Sequence, residues 1–293
     1  MRSSLILLGL GLLAGCGGAT QLEVVSDDCL EDAAKVYPGE CGCGVPEERC
    51  VPLKAALEHR YAFDGIGSVA VDDVGGPDGD GVIVNRELAG TGQLQLLREG
   101  PDEQYVDLPD GIVSQLRSAT FEAWLVWDTP GSDQFWERIF DFGVSTAGED
   151  VRAGGESYLF FAPAEFRTAY LNTMIPAEIQ ASAETAFPTD TLVHLAVVVD
   201  ANAQQLVMYL DAEEKGRALF DQPLSAINDV NNWLGRSQFV ADTRFGGTFL
   251  EFRIYSAALS EQQLRDSLAL GDSPFFLQPM PDSPPEPVTQ VEP

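Results

Sequence analysis

Over most of the chain, apolar and polar residues alternate in short runs cut by glycine and acidic turns, with almost no helical periodicity before Ser260. From Thr248 to Tyr255 the period is two. Leu250, Phe252 and Ile254 fall on one face and Glu251 and Arg253 on the other, which predicts a half-buried strand after the break at Gly246-Gly247. The valine-rich run Leu192 to Val199 ends at Asp200, and Gln205 to Asp211 then sets Leu206, Met208 and Leu210 against Val207 and Tyr209. These two segments predict a hairpin. His194 inside the first segment is expected to be a packed core residue, and Phe121, Trp124, Trp127 and Phe140 to fill the same core. Ser260-Glu-Gln-Gln263 has the form of a capping box that opens a short helix through Leu264 and Leu268 to Gly271. The pattern therefore predicts an all-β fold with one short C-terminal helix.

Composition narrows this. A chain of 293 residues with 45% hydrophobic content can bury one sizeable core, and a single β-sandwich of roughly 200 to 250 residues is enough to do so. The formal charge of −29, from 46 acidic and 17 basic residues, sets up a field that repels nucleic acid and anionic lipid surfaces. DNA and RNA are excluded as expected partners, and most of the acidity is read as solvated surface.

The N-terminus speaks to compartment. Met1-Arg-Ser-Ser is positive, Leu5 to Leu13 is apolar, and Leu12-Leu-Ala-Gly-Cys16 matches the bacterial lipobox. The apolar stretch is too short to span a bilayer stably. The expectation is a lipoprotein signal peptide over 1–15, a lipid on Cys16 as the membrane anchor, and, with Gly17 rather than Asp next, an outer-membrane or cell-surface location. Residues 16–51 form an acidic segment holding Cys29, Cys41, Cys43 and Cys50. In an exported protein these predict two disulfides with three open connectivities. Zinc is the rival reading, but no histidine lies nearby and Cys41-Gly-Cys43 lacks the usual spacer. Residues 52–274 are assigned to the sandwich, and 275–293, rich in proline and acid, to a tail without a core and expected to be disordered.

Asn231-Asn-Trp-Leu-Gly-Arg-Ser237 and Phe245-Gly-Gly-Thr-Phe-Leu-Glu-Phe-Arg-Ile-Tyr-Ser-Ala-Ala-Leu-Ser260 resemble the closing strands of laminin-G-like, concanavalin A-like jelly rolls. That signature runs roughly W-L-G-R-S, an Asp, G-x-I-D-E-x-R-I-Y and A-L-S. Tyr61, Phe63 and Asp64-Gly65 resemble the opening strand of the same modules, Asp73 to Asp80 the loop behind it, and the segments 104–109, 119–127 and 136–143 successive strands. The likeness spans about residues 57 to 272. It implies calcium through Asp64 and Asp73, with glycines in the loop Asp72 to Asp80 letting carbonyls converge. Against this, Leu250 stands where the signature has an Asp that helps hold the ion, and Asp64, Asp72, Asp73, Asp78 and Asp80 also suit plain turns. The run Asp28 to Pro46 resembles a cysteine-bearing linker of bacterial surface proteins that leads into Asp-rich calcium repeats. The Asp ladder is missing here, so a stapled stalk without calcium is expected.

The resemblance also bears on function. Glucanases of this fold alternate their carboxylates along one strand, but no E-x-D-x-E pattern occurs, and Glu251 shares its face with Arg253, which favours a permanently ionised carboxylate. G-x-S-x-G, H-E-x-x-H and phosphate-loop patterns are absent as well. A non-catalytic envelope lipoprotein binding carbohydrate or surface protein ligands is therefore expected ahead of a purely structural or adhesive component, and both ahead of a glycoside hydrolase. Trp136, at the end of the turn-rich connection after Trp127, is the candidate ligand-stacking residue, with burial at a strand end as the alternative.

Overall fold

A computed structural model describes residues 29–30, 41–43, 46, 50–132 and 134–271. The expected signal peptide, Cys16 and the tail 275–293 lie outside the described residues. The first strands are β1 (Leu57–Tyr61), β2 (Ile66–Gly67), β3 (Val69–Ala70), β4 (Gly81–Val84), β5 (Leu88–Ala89), β6 (Leu94–Leu96) and β7 (Tyr105–Leu108). The central ones are β8 (Ala119–Trp127), β9 (Phe140–Ser145), β10 (Gly155–Ala162), β11 (Arg167–Leu171) and β12 (Ile179–Ser182). The last are β13 (Leu192–Asp200), β14 (Gln205–Leu210), β15 (Glu213–Leu219), β16 (Asn231–Leu234) and β17 (Gly247–Tyr255). Helix α1 (Leu53–Ala56) precedes them and α2 (Glu261–Leu270) follows.

Two antiparallel sheets carry the fold. One runs β1-β17-β8-β13-β14-β15, with β6 sharing the edge of β17 beside β1; the other runs β12-β11-β10-β9-β16-β7-β4-β3. The core lies between them, since alternate residues of each strand point inward. In the eight-stranded sheet Ile83, Val106, Leu234, Phe140 and Phe161 do so, and they meet Phe121, Leu195, Val197, Met208, Phe252 and Ile254 from the other sheet. The hairpin β13–β14 forms in the expected register, with Leu206, Met208 and Leu210 in this core. Phe121, Trp127 and Phe140 fill it too.

Strand β17 departs from simple alternation. Phe249 opposes Leu125 and Glu251 opposes Trp124, so Leu250 is left over as a bulge. The extra residue shifts the alternation, and Phe249, not Leu250, joins Phe252 and Ile254 in the core. The face holding Glu251 and Arg253 is also not solvated, because both residues are fully buried. The cause is α2, which opens with the expected capping box: Ser260 Oγ accepts from Gln263 N and Gln263 Oε1 from Ser260 N. Capped there, α2 lies on the outer side of the seven-stranded sheet, where Leu264 and Leu259 pack with Tyr255, Val198, Val207 and Tyr209.

The four cysteines form two disulfides, Cys29–Cys43 and Cys41–Cys50. This pairing lies against the body of the fold: Gln263 Nε2 donates to Val51 O at 2.8 Å, and a Cβ on Gly42 would stand 2.8 Å from Gln262 Cβ. Among the described residues no helix is long and apolar enough to cross a membrane.

Candidate functional site

The two outer faces of the sandwich differ in kind. On the seven-stranded sheet, Arg60, Arg253 and Glu122 are cross-strand neighbours, as are Glu251, Trp124 and His194. Arg60 grips Glu251 with two hydrogen bonds of 2.8 and 2.9 Å, and Arg253 also donates to Glu251. Glu122 takes His194 Nε2 at 3.0 Å and Ser267 Oγ of α2 at 2.7 Å. Burial pushes the Glu122 carboxyl up, but His194, Arg253 and Ser267 outweigh it and hold the carboxyl below its ordinary range. Trp124 sits between Arg253, 4.2 Å from its ring, and His194, 4.4 Å away. His194 is thus buried as expected, yet it and Trp124 lie outside the inter-sheet core, in an ionic layer sealed by α2. Both glutamates are fully buried and fully engaged.

On the eight-stranded sheet one outward row passes through every strand. In register it reads Val69, Val82, Asp107, Trp233, Asp141, Phe160, Ala169 and Gln180. Two carboxyls therefore flank one indole, two strand spacings or about 9.6 Å apart across the sheet. The connection from Gly235 to Gly246 folds back over the middle of this row, where Ala153 N donates to Gln238 O and Val240 N to Ala153 O. Arg236 lies over both Tyr105 and Trp233, 4.2 and 4.0 Å from their rings, and Arg138 lies 3.8 Å from the Phe160 ring. Burial, reinforced by the charge of Asp150, pushes Asp107 up to about 7. Burial lifts Asp141 to about 7 even though Arg138 opposes it.

Trp136 stands at one end of this face. Its backbone is left-handed, with φ of 59°, which turns the half-exposed indole away from the inter-sheet core and onto an outer cluster of Tyr158, Phe160, Leu171 and Phe239. Two guanidiniums approach the ring, Arg138 at 5.5 Å and Arg167 at 5.3 Å. Trp127, by contrast, is buried and donates from Nε1 to Glu137 at 3.1 Å. Seven buried side-chain polar atoms among the described residues lack a hydrogen-bond partner, and five belong here: Arg138 Nε, Asp141 Oδ1, Trp233 Nε1, Arg236 Nη1 and Glu165 Oε2. Arg138 Nε is ion-paired with Asp141 Oδ2 at 3.4 Å, and the Trp233 indole is turned to Asp107, whose carboxyl it draws down, each in looser geometry than a full hydrogen bond. Such unused capacity is rare in a folded chain and is here concentrated on one face. Alternation in Gln104-Tyr-Val-Asp-Leu108 signals that Tyr105 and Asp107 point outward. That Asp107, Trp233 and Asp141 meet is set by register between strands far apart in sequence.

The Asp-rich loop lies elsewhere, behind β1. The buried Asp72 accepts from Arg60 N, Val74 N and Gly75 N and contacts His59 Nδ1 at 2.6 Å, while Asp80 accepts from Asp72 N. Asp73 is paired with Arg60 at 2.8 Å, and Asp64 is exposed. The oxygens of Asp72 and Asp73 are thus turned to N–H donors. No group of three or more acidic, histidine or cysteine side chains among the described residues is arranged to hold a metal ion. As they stand, Asp72 and Asp80 serve to fix the loop.

A family model described as the concanavalin A-like lectin/glucanases superfamily matches residues 100–265. No match was found among curated proteins. Among solved structures, a Trypanosoma rangeli sialidase in complex with sialic acid is similar at TM-score 0.51 and 14% identity, over 81% of this chain and 36% of the sialidase. Domain 4 of AbnA, a GH43 extracellular arabinanase from Geobacillus stearothermophilus, in complex with arabinotriose, is similar at TM-score 0.48 and 19% identity, over 73% of this chain and 98% of that one. A leech intramolecular trans-sialidase matches at TM-score 0.48 and 18% identity, over 61% of this chain and 27% of the enzyme. The chain spans only about a third of the sialidase from Trypanosoma rangeli. At these identities the likeness is one of fold.

Proposed function

The chain belongs to the concanavalin A-like lectin/glucanases superfamily, and from that premise we propose that it is a non-catalytic module that binds carbohydrate on the outer face of its eight-stranded sheet. The observation that carries this reading is the half-exposed Trp136 indole on an outer aromatic cluster, with the half-exposed Arg167 and Glu165 beside it. A sugar presents apolar C–H faces to an indole and hydroxyls to polar groups, and this face offers both. Catalysis is not part of the proposal. Hydrolysis calls for two carboxyls open to one cleft, whereas Glu122 and Glu251 are sealed under α2 and Asp141 is fully buried.

We place the module at the bacterial surface, held in the membrane by a lipid on Cys16, which the lipobox supports. In cells, Cys16→Ala is expected to leave an unprocessed precursor that takes up no labelled fatty acid; normal processing and labelling would overturn the anchor. A glycan array tests the binding. One sugar class is expected to bind reproducibly, and Trp136→Ala to weaken it at least tenfold while melting within a degree or so of the parent, because the residue lies outside the inter-sheet core. Release of reducing ends from the bound sugar would overturn the non-catalytic reading. No binding to any polysaccharide, with capture of a surface protein instead, would favour an adhesive role.

A further inference from the structure

At the opposite end of the sandwich a cavity of about 410 Å³ opens between three loops: the stretch before β8, the turn joining β13 to β14, and the segment after β15. The eight steps of β8 from Ala119 to Trp127, about 26 Å at 3.3 Å each, separate this end from the Trp127 end near Trp136. The floor is apolar, formed by Leu116, Phe220 and Leu224, which belong to the main core. The rim is polar. Ser114, Gln115, Gln204 and Ser225 line it with side chains that make no hydrogen bond among the described residues.

The walls are fixed by buried groups that do not line the cavity. The Asp229 carboxylate, almost wholly buried, accepts from Val113 N at 2.8 Å and Ser114 N at 3.1 Å. Tyr170 donates its hydroxyl to Pro223 O at 2.9 Å, and Ala201 N donates to Ser118 Oγ at 3.1 Å. Gln204 takes a left-handed φ of 54° and its carbonyl receives Phe220 N at 2.8 Å, which ties the turn to the third loop. A preformed wall costs a ligand little ordering entropy.

We infer that this cavity is a second ligand site, shaped for a neutral, polyhydroxylated molecule of mono- or disaccharide size. Amide and hydroxyl groups both donate and accept, as sugar hydroxyls do. The charges in the lining cancel. Arg117, bonded to Asn202 at 3.1 Å, is balanced by Asp221, bonded to Gln222 at 2.8 Å. The wall therefore carries no net charge that would favour a charged ligand. The inference stands apart from the sheet-face reading, since the two sites share no residue.

Saturation-transfer NMR on the full chain, with lactose, maltose and cellobiose as probes and glucuronic acid and glucosamine as charged controls, tests it at sugar concentrations up to about 50 mM, since weak sites bind in the millimolar range. In the Trp136→Ala protein, where the sheet face is disabled, at least one neutral disaccharide is expected to give a signal that adding Ser225→Trp abolishes by filling the mouth. Gln204→Gly, which keeps the left-handed turn but removes the amide, should weaken it at least fivefold. Trp136→Ala should leave this signal in place; if Trp136→Ala alone removes it, the sheet face is the only site and the inference fails. It also fails if no neutral sugar gives a signal, if only the charged controls do, or if both cavity variants, shown folded by their melts, bind as the parent does.

Discussion

The buried ionic layer shows how much rests on single side chains. Glu251 accepts from two arginines, both almost wholly buried, so its removal takes away the carboxylate they share, with Asp73 still beside Arg60 and Glu122 3.9 Å from Arg253, in a medium that solvates their charges poorly. Glu251→Ala is expected to cost about 3–5 kcal/mol in urea unfolding, with Glu251→Gln recovering part of that through its carbonyl. A loss under about 1 kcal/mol would show that water reaches the arginines. Asp107 and Asp141 act in the opposite sense. Their carboxyls are raised to about 7 in the folded chain from an ordinary value of 3.8, so the fold holds their protons more tightly than the unfolded chain does. Their contribution to stability is full below about pH 4 and is lost as pH rises through about 7. Between pH 5 and 8, thermal melts of Asp107→Asn should therefore fall less steeply with pH than those of the parent. Identical slopes would place Asp107 at an ordinary carboxyl value.

At the scale of elements, α2 decides what the seven-stranded sheet presents. An antiparallel sheet is free to leave one face in water, but this helix converts the charged side of β17 and β8 into a sealed layer. Its start depends on the reciprocal bonds between Ser260 and Gln263. Ser260→Ala is expected to destabilise the protein by about 1 kcal/mol and to speed amide exchange in α2 before exchange in β13 or β14. Simultaneous loss of protection in all three would show that α2 does not open separately. The bulge at Leu250 belongs to this scale too, because it turns Leu250 out of the core while keeping Glu251 against Arg60.

For the whole molecule, a formal charge of −29 means that folding gathers like charges together. Raising sodium chloride from about 20 to about 200 mM, which shortens the screening length to under about 10 Å, is expected to raise the melting temperature. A fall would mean that ion pairs such as Arg152–Glu103 and Arg236–Glu103 outweigh the general repulsion. Calcium is a separate question. With Asp72 and Asp73 committed to N–H donors, melts in millimolar calcium, in equal magnesium and in chelator at matched ionic strength are expected to coincide. A rise specific to calcium, about 2.7 kcal/mol at a hundredfold excess over the dissociation constant, would instead show that the loop rearranges to bind it.

Alternation, turn residues and the capping box determined on their own that the body is all-β and closed by a short helix, because period and caps are local properties of the chain, and the sandwich followed from the resemblance. They also marked Leu206, Met208 and Leu210 as one face of a hairpin, and the four clustered cysteines as disulfide partners, though not which pairs with which. Tertiary structure decided the rest. Period two divides a strand into two faces without saying what covers each, so Glu251, Arg253 and His194 are charged or polar positions in sequence and an enclosed network once α2 lies on them. A one-residue bulge changes faces without altering composition, which is why Leu250 and Phe249 exchange roles. The row Asp107, Trp233 and Asp141 joins residues 126 positions apart by cross-strand register, which depends on how distant strands pair and not on the pattern within any one of them.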